Sequence, residues 1–228
     1  MASQKFGLVV GIFAEKGGPG KTTTAVNLAV QAAHQGIDVL IIDADPQQSA
    51  SKFIARRNAN EHKPTVNCQI QTGSLTASIK DAITRYEMII IDAGGRASKE
   101  LISGMCNAHV VYTPTAPSLM DLETMEKFSE MVNQAKEINP ELIVYAYLSR
   151  VKYSQKKAKL PMAKEFLAES FPDFKLSDVC LSEREVFQNA SNEGLGVVEM
   201  KNAAEASEEV RALLKEILEV TNTNFKGA

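Results

Sequence analysis

The sequence predicts an α/β fold: a doubly wound, mostly parallel sheet with helices on both faces. Three observations predict it. The apolar runs Phe6–Ala14, Asp38–Asp43 and Met88–Asp92 show no polar–apolar alternation, which is the pattern of strands buried on both faces. They are separated by segments of helical periodicity, so successive strands are joined by crossovers. A glycine-rich turn, Gly17-Gly18-Pro19-Gly20, follows the first run and leads into a helix opening on Lys21-Thr22-Thr23.

The elements follow in order. Phe6–Ala14 reads as a buried strand, and Lys21 to about Gln35 as an Ala- and Leu-rich helix closed by Gly36. Asp38–Asp43 is the second strand, Gln47–Arg57 a helix, Val66–Ile70 a short strand and Leu75–Tyr86 a helix. Met88–Asp92, His109–Thr113 and Leu142–Leu148 are further strands. Leu119, Leu122, Met125, Phe128, Val132 and Ala135 mark a long amphipathic helix, with Met125 as a core contact. Val210, Leu213, Leu214, Ile217 and Leu218 place one face of a last helix against the core. No linker, repeat or low-complexity tract interrupts the chain. One P-loop domain is expected over residues 1–220, with residues 221–228 as a loose polar tail.

Composition bounds the function. The chain has 228 residues, 44% hydrophobic and 23% charged, enough to bury a full core unaided. The net charge of -3 does not advertise nucleic-acid binding, so any basic patch is local. Cys68, Cys106 and Cys180 lack metal or disulfide spacing and read as buried thiols in a reducing compartment. His34, His62 and His109 are isolated and take no assigned role. No signal-peptide pattern or spanning helix is evident, so a cytoplasmic protein without stable membrane insertion is expected.

Three constellations carry chemistry. In the turn, glycines let backbone amides converge with the helix N-terminus on one anion. Lys21 then reaches the β- and γ-phosphates of ATP, and the Thr22 hydroxyl ligates Mg2+. The usual pattern places glycine at position 15; here Glu15 stands there and a second lysine, Lys16, precedes Gly17. Asp43-Ala44-Asp45-Pro46-Gln47 ends the second strand, where ligands sit in such sheets. One carboxylate suits the metal shell and the other an attacking water; the competing reading makes Asp45 a helix N-cap. Asp92 ends the third apolar run at the position that contacts magnesium through water, and Gly94-Gly95 allow close backbone approach.

Lys-Gly-Gly-Pro-Gly-Lys-Thr-Thr, then Asp-Ala-Asp-Pro-Gln, then Ile-Ile-Ile-Asp-Ala-Gly-Gly resembles the ParA/MinD family of deviant-Walker ATPases. The likeness is strongest to small plasmid ParA-type partition ATPases that lack an N-terminal DNA-binding domain. Thr113-Pro114-Thr115-Ala116-Pro117-Ser118 resembles the family's proline-containing loop. The resemblance implies that Lys16 crosses a homodimer interface to the partner's nucleotide, that Asp45 positions the hydrolytic water and that Asp43 supports the metal shell. It also implies a two-fold ATP-sandwich dimer whose slow hydrolysis is stimulated by a small centromere-binding or adaptor protein. Arg184 falls where relatives have an arginine near the adenine pocket; a surface ion-paired arginine is the competing reading.

Residues 142–164 hold Arg150, Lys152, Lys156, Lys157, Lys159 and Lys164 without a single Asp or Glu. Lys152, Lys156, Lys157 and Lys159 are the expected contacts to non-specific DNA, which would place the ATP-bound form on the nucleoid. A solvated helix face is the plain alternative. Two other functions compete: a MinD-like membrane-associated positioning ATPase, and a metabolic P-loop enzyme of dethiobiotin-synthetase type. The first is opposed by the acidic last helix, with Glu205, Glu208, Glu209, Glu216 and Glu219 against Arg211 and Lys215.

Overall fold

The computed structural model describes residues 7–14, 18, 20–94, 98–115 and 120–225, with side chains for all of these except 120–124, 153, 156, 157 and 223–225. The described residues form seven strands and eight α-helices: β1 Leu8–Phe13, α1 Lys21–His34, β2 Val39–Asp43, α2 Ser49–Ala59, β3 Asn67–Ile70, α3 Thr76–Ala82, β4 Met88–Ala93, α4 Lys99–Asn107, β5 Val110–Thr115, α5 Met120–Ile138, β6 Ile143–Val151, α6 Lys156–Ser170, β7 Lys175–Ser182, α7 Glu185–Glu193 and α8 Ala204–Phe225. The strands form one sheet in the order β3-β2-β4-β1-β5-β6-β7, and every pairing is parallel.

The unbroken apolar runs are explained by two cores, one on each face. Along β1, Val10 and Ile12 enter one core while Val9 and Phe13 enter the other. Along β2 and β4, Ile41 and Ile90 face the first core, and Leu40, Ile42, Ile89 and Ile91 the second. The period of two survives; both of its phases are apolar because both faces are covered. The first core is closed by α1 and α8, with Leu28, Leu213 and Leu214 fully buried. The second is closed by α3, α4 and α5, through Ile79, Leu101 and Phe128.

Helix α1 stops as its sequence predicts. Gly36 has φ 80, its amide donates to Ala33 O at 3.0 Å, and the Ile37 amide donates to Ala32 O at 3.1 Å. This is a Schellman stop, which needs the left-handed conformation that glycine adopts without a Cβ penalty. Two expectations change. The helix expected over Leu75–Tyr86 is shorter, ending at Ala82 before a turn. The tail expected from Thr221 onward is helical through Phe225, and Thr221 is buried with its Oγ1 donating to Ile217 O at 2.8 Å. A threonine bonded back to a carbonyl one turn earlier continues a helix that polarity alone does not forecast.

Outside the nucleotide-side loops, the strongest polar tie is Arg57, which is fully buried. Its guanidinium meets Glu199 bidentately, with Nη1–Oε2 and Nη2–Oε1 both 2.7 Å, and also donates to Pro64 O and Gly194 O. Burial opposes ionisation of Glu199. Hydrogen bonds from Arg57, His34 and the Gly196 amide outweigh it and hold the carboxyl below the ordinary glutamate range. The latch pins α2 to the segment that leads into α8. Glu199→Leu leaves Arg57 buried and uncompensated and should cost about 3–5 kcal/mol in urea unfolding at neutral pH. A depressed folded-state pKa means stability present above the unfolded value and lost as pH falls through the folded one. The gap between wild type and Glu199→Leu should therefore shrink below a pH of about 4.5.

Candidate nucleotide-binding site

The site lies at the C-terminal ends of β1, β2 and β4, close to where the strand order reverses between β4, β1 and β5. After β1 the chain reaches Gly18, at φ 95, and Gly20, at φ 96, the latter being the N-cap of α1. Both conformations are left-handed and suit glycine. Thr24 N donates to Gly20 O, whereas no side chain caps α1 and its first turn carries no acid. The orphan amides at this helix start, with the positive end of the dipole, form an anion site. Tyr147 on β6 anchors the turn from behind, donating its buried hydroxyl to Thr24 Oγ1 at 2.7 Å.

Lys21 is 6% exposed. Burial lowers its pKa, and the nearby Asp92 and Asp45 carboxylates pull it back up. A largely dehydrated ammonium between an anion cradle and two carboxylates is placed to meet phosphate oxygens. Thr22 and Thr23, both half-buried, follow it on the same turn.

Asp43 and Asp92 are direct neighbours in the β2–β4 register, and both are fully buried. Asp43 is engaged by backbone: Oδ2 accepts the Ser51 amide at 2.7 Å and Oδ1 the Asp45 amide at 3.3 Å. It therefore holds the loop and the first turn of α2 together. Asp92 differs. Burial raises its pKa to about 7; the Thr22 hydroxyl lies near enough to ease ionisation, while Asp43 opposes it. Even so, neither Asp92 oxygen has a hydrogen-bond partner of proper geometry among the described residues. A buried carboxylate in that condition fits a cation or its bound water. No three His, Cys, Asp or Glu side chains form a metal cage among the described residues. Magnesium held partly by phosphate oxygens and water needs no such cage.

Asp45 is half-buried at the cleft. It is not the N-cap of α2, which starts at Ser49 with Gln48 as its cap. Instead its Oδ1 accepts the Gln47 amide at 2.8 Å, closing the turn before the helix. Its carboxylate lies against Gly94: a Cβ there would sit 2.4 Å from Asp45 Oδ2. Glycine at 94 is thus a steric requirement for the position of Asp45.

The cleft has a volume of about 700 Å³, within the range of small-molecule sites. One wall is Gly18, Gly20, Lys21, Thr22, Thr23 and Asp45; the other includes Ser149, Arg150, Ser182, Arg184 and Phe187. Arg184 is therefore gathered into the same cleft as the phosphate cradle. It is the N-cap residue of α7 and lies 3.7 Å from Glu209 of α8, which also accepts the Ser182 amide and hydroxyl.

Lys16, Gly17 and Pro19 lie outside the described residues. Lys152 is exposed, Lys159 on α6 is half-buried, and neither is among the residues lining the cleft; the side chains of Lys156 and Lys157 are outside the description. Sequence reasoning missed Ser149, Phe187 and Arg150. Arg150 was legible only as one cation in a basic stretch, but it reaches back to the phosphate loop: Nη1 donates to Gly18 O at 2.7 Å.

Fold and site together define a P-loop nucleotide-binding protein. The chain belongs to the CobQ/CobB/MinD/ParA nucleotide binding domain family, whose model matches residues 10–198. It is 28% identical to Protein ParA of Rhizobium radiobacter over 140 residues, a match covering 60% of this chain and 62% of that one, so less than two thirds of that relative is spanned. It is 27% identical over 219 residues to the maintenance of carboxysome distribution protein A of Gloeobacter kilaueensis, covering 94% and 96% of the two chains. Among solved structures, an ATP complex of Cyanothece McdA superposes with TM-score 0.75 at 19% identity, covering 94% of this chain and 97% of that one. MinD of Pyrococcus furiosus does so with TM-score 0.71 at 19% identity, covering 94% and 99%.

A buried carboxylate that lacks a partner destabilises the nucleotide-free fold. Asp92→Asn should raise the free energy of unfolding without nucleotide or magnesium by about 1 kcal/mol or more. The same variant should lose magnesium-dependent nucleotide binding. Chemical denaturation and calorimetric titration check the two arms.

Proposed function

We propose that this chain is an ATP-dependent positioning or partitioning ATPase. With ATP and Mg2+ bound it pairs with a second copy, the pair holds DNA without sequence preference, and hydrolysis stimulated by a small centromere-binding or adaptor protein releases it. The observation that carries the proposal is the buried Lys21 at an uncapped helix start, set beside Asp92 and Asp45.

The residues divide the work. Gly18 and Gly20 shape the cradle, Gly17 and Pro19 join them by their place in the sequence and by family likeness, and the amides of Lys21, Thr22 and Thr23 face the phosphates. Thr22 and Asp92 hold magnesium, and Asp43 supports that shell by fixing the loop through the Ser51 and Asp45 amides. Magnesium, when bound, neutralises phosphate charge and orients the terminal phosphate. Asp45, kept in place by Gly94 and the Gln47 amide, orients the water. Arg184 lies on the far wall, where a base would pack against Phe187. Lys16, by its place in the sequence and by family likeness, reaches the nucleotide of the other copy. A lysine supplied in trans offsets γ-phosphate charge only while ATP is present, so hydrolysis removes the reason to stay paired.

Support for the DNA arm comes from α6. Lys156, Lys157 and Lys159 stand in its first turns, where the helix dipole disfavours cations, and no acid offsets them there. Cations set against the dipole in this way fit a helix that receives an anionic ligand. The exposed positions of α8 favour acids, Glu205, Glu208 and Glu219 against Arg211 and Lys215, which opposes docking on anionic lipid. No described helix is long and apolar enough to cross a membrane. The proposed location is the cytoplasm, on the nucleoid when ATP is bound.

The DNA arm is tested by retention on non-specific duplex. The wild type should be retained with ATP and released steeply as salt rises. Lys152→Ala combined with Lys159→Ala should lower both retention and the salt slope, the latter by up to about 2. Equal retention with ADP would refute it. The pairing is tested apart: Lys16→Ala should stay at monomer mass with ATP and Mg2+ in light scattering while the wild type doubles. Equal masses would remove the trans role of Lys16.

A further inference from the structure

Arg150 combines three features that an ordinary surface cation lacks. Its backbone has φ 55, in the left-handed region that residues with a Cβ avoid. It is the extra residue of a bulge at the end of β6: Ser149 pairs with Leu181 and Val151 with Ser182, leaving Arg150 between them unpaired. Bulges beside a site re-aim a side chain. This one points Arg150 into the cleft, where its guanidinium donates to Gly18 O at 2.7 Å.

The strain and the bulge do not serve to bury Arg150, which is exposed while its neighbours Ser149 and Val151 are buried. What they secure is a grip on the phosphate loop. Gly18 is exposed and left-handed, meets no atom within 4 Å of a would-be Cβ, and is followed by a proline that has no amide hydrogen. Neither the Cβ-free Gly18 nor the proline after it offers a side-chain contact or amide that would fix the Gly18 carbonyl. A guanidinium on the Gly18 carbonyl turns that oxygen away from the cradle, which must present amides and not carbonyls to phosphate.

We infer that Arg150 is a positioning residue of the nucleotide site, acting in cis: it orders the loop through the Gly18 carbonyl and so lowers the cost of binding the phosphates of ATP. The inference rests on reading the cleft as a nucleotide site. It separates Arg150 from Lys152 and from the lysines of α6, six to fourteen residues further along, which the sequence groups with it.

The test compares the full-length wild type with Arg150→Gly and Arg150→Lys, each titrated calorimetrically with ATP and Mg2+ and melted without ligand. Glycine relieves the left-handed strain, so Arg150→Gly should melt at the same temperature as wild type or higher while binding ATP about tenfold more weakly. Arg150→Lys keeps the charge but not the planar fork and should recover only part of the affinity. Unchanged affinity in Arg150→Gly, whatever its melting temperature, would overturn the inference. Full recovery by lysine would replace positioning with a simple field effect and overturn it too. A wild type that does not bind ATP at all would overturn the nucleotide reading and this inference with it.

Discussion

The burial of the Asp92 carboxyl is the constraint on which this structure turns. A carboxylate is carried to the end of a fully buried strand, beside a second buried carboxylate on β2, and given no protein hydrogen bond of proper geometry among the described residues. Folding alone selects against that arrangement, because desolvating an acid without a partner is costly. The surrounding architecture tolerates it: two complete cores flank the sheet, and β1, β2 and β4 are held in continuous register up to the site. Stability is drawn from the packed faces and spent at one edge of the sheet, where Lys21, Asp45 and Thr22 converge.

Several other local departures lie near the same strand ends, although Glu61, with φ 53 after α2, does not. Gly18 and Gly20 are left-handed, Gln48 before α2 has φ 52, and Arg150 has φ 55 at a bulge. The glycines and Gln48 follow strand ends, Arg150 sits in the bulge that ends β6, and Gly18, Gly20 and Arg150 line the cleft. By contrast, the buried ion pair of Arg57 and Glu199 is fully satisfied, its five donor contacts closed by protein oxygens. Buried charge is balanced where it holds the fold and left open where a ligand is to be received.

The central sheet was legible because its strands are apolar on both faces, so Met88–Asp92 or Asp38–Asp43 need no context to be recognised. The phosphate loop was legible because glycine, lysine and threonine at fixed spacing have few other uses. The periphery was not. Strand β7, with Lys175, Ser177 and Asp178 interleaved among Leu176, Val179 and Cys180, carries the mixed pattern of a sheet edge. Helix α6 has no clear apolar stripe and contains Pro161. The competing reading of Asp45 as a helix cap, drawn from Asp-Pro, does not hold: Gln48 is the cap residue, and the Ser51 amide bonds Asp43 from the strand. Arg150 could not be separated from its lysine neighbours, since a bulge depends on the partner strand and leaves no mark in the local sequence.

The cleft has two walls of different origin, and this bears on how a nucleotide could govern assembly. The phosphate wall is built on β1, β2 and β4, early in the chain. The opposite wall is built on the ends of β6 and β7 and the start of α7. The second wall is braced by the C-terminal helix: Glu209 of α8 accepts both the amide and the hydroxyl of Ser182 and stands beside Arg184, and Glu216 accepts from Tyr112 at the middle of the sheet. A ligand whose phosphates sit on one wall and whose base sits on the other ties the early and late halves of the chain together. Among the described residues, the direct bonds already doing so at the cleft are few, the Arg150–Gly18 contact and the Tyr147–Thr24 bond among them. Binding energy from both ends of such a ligand would then go into closing one gap.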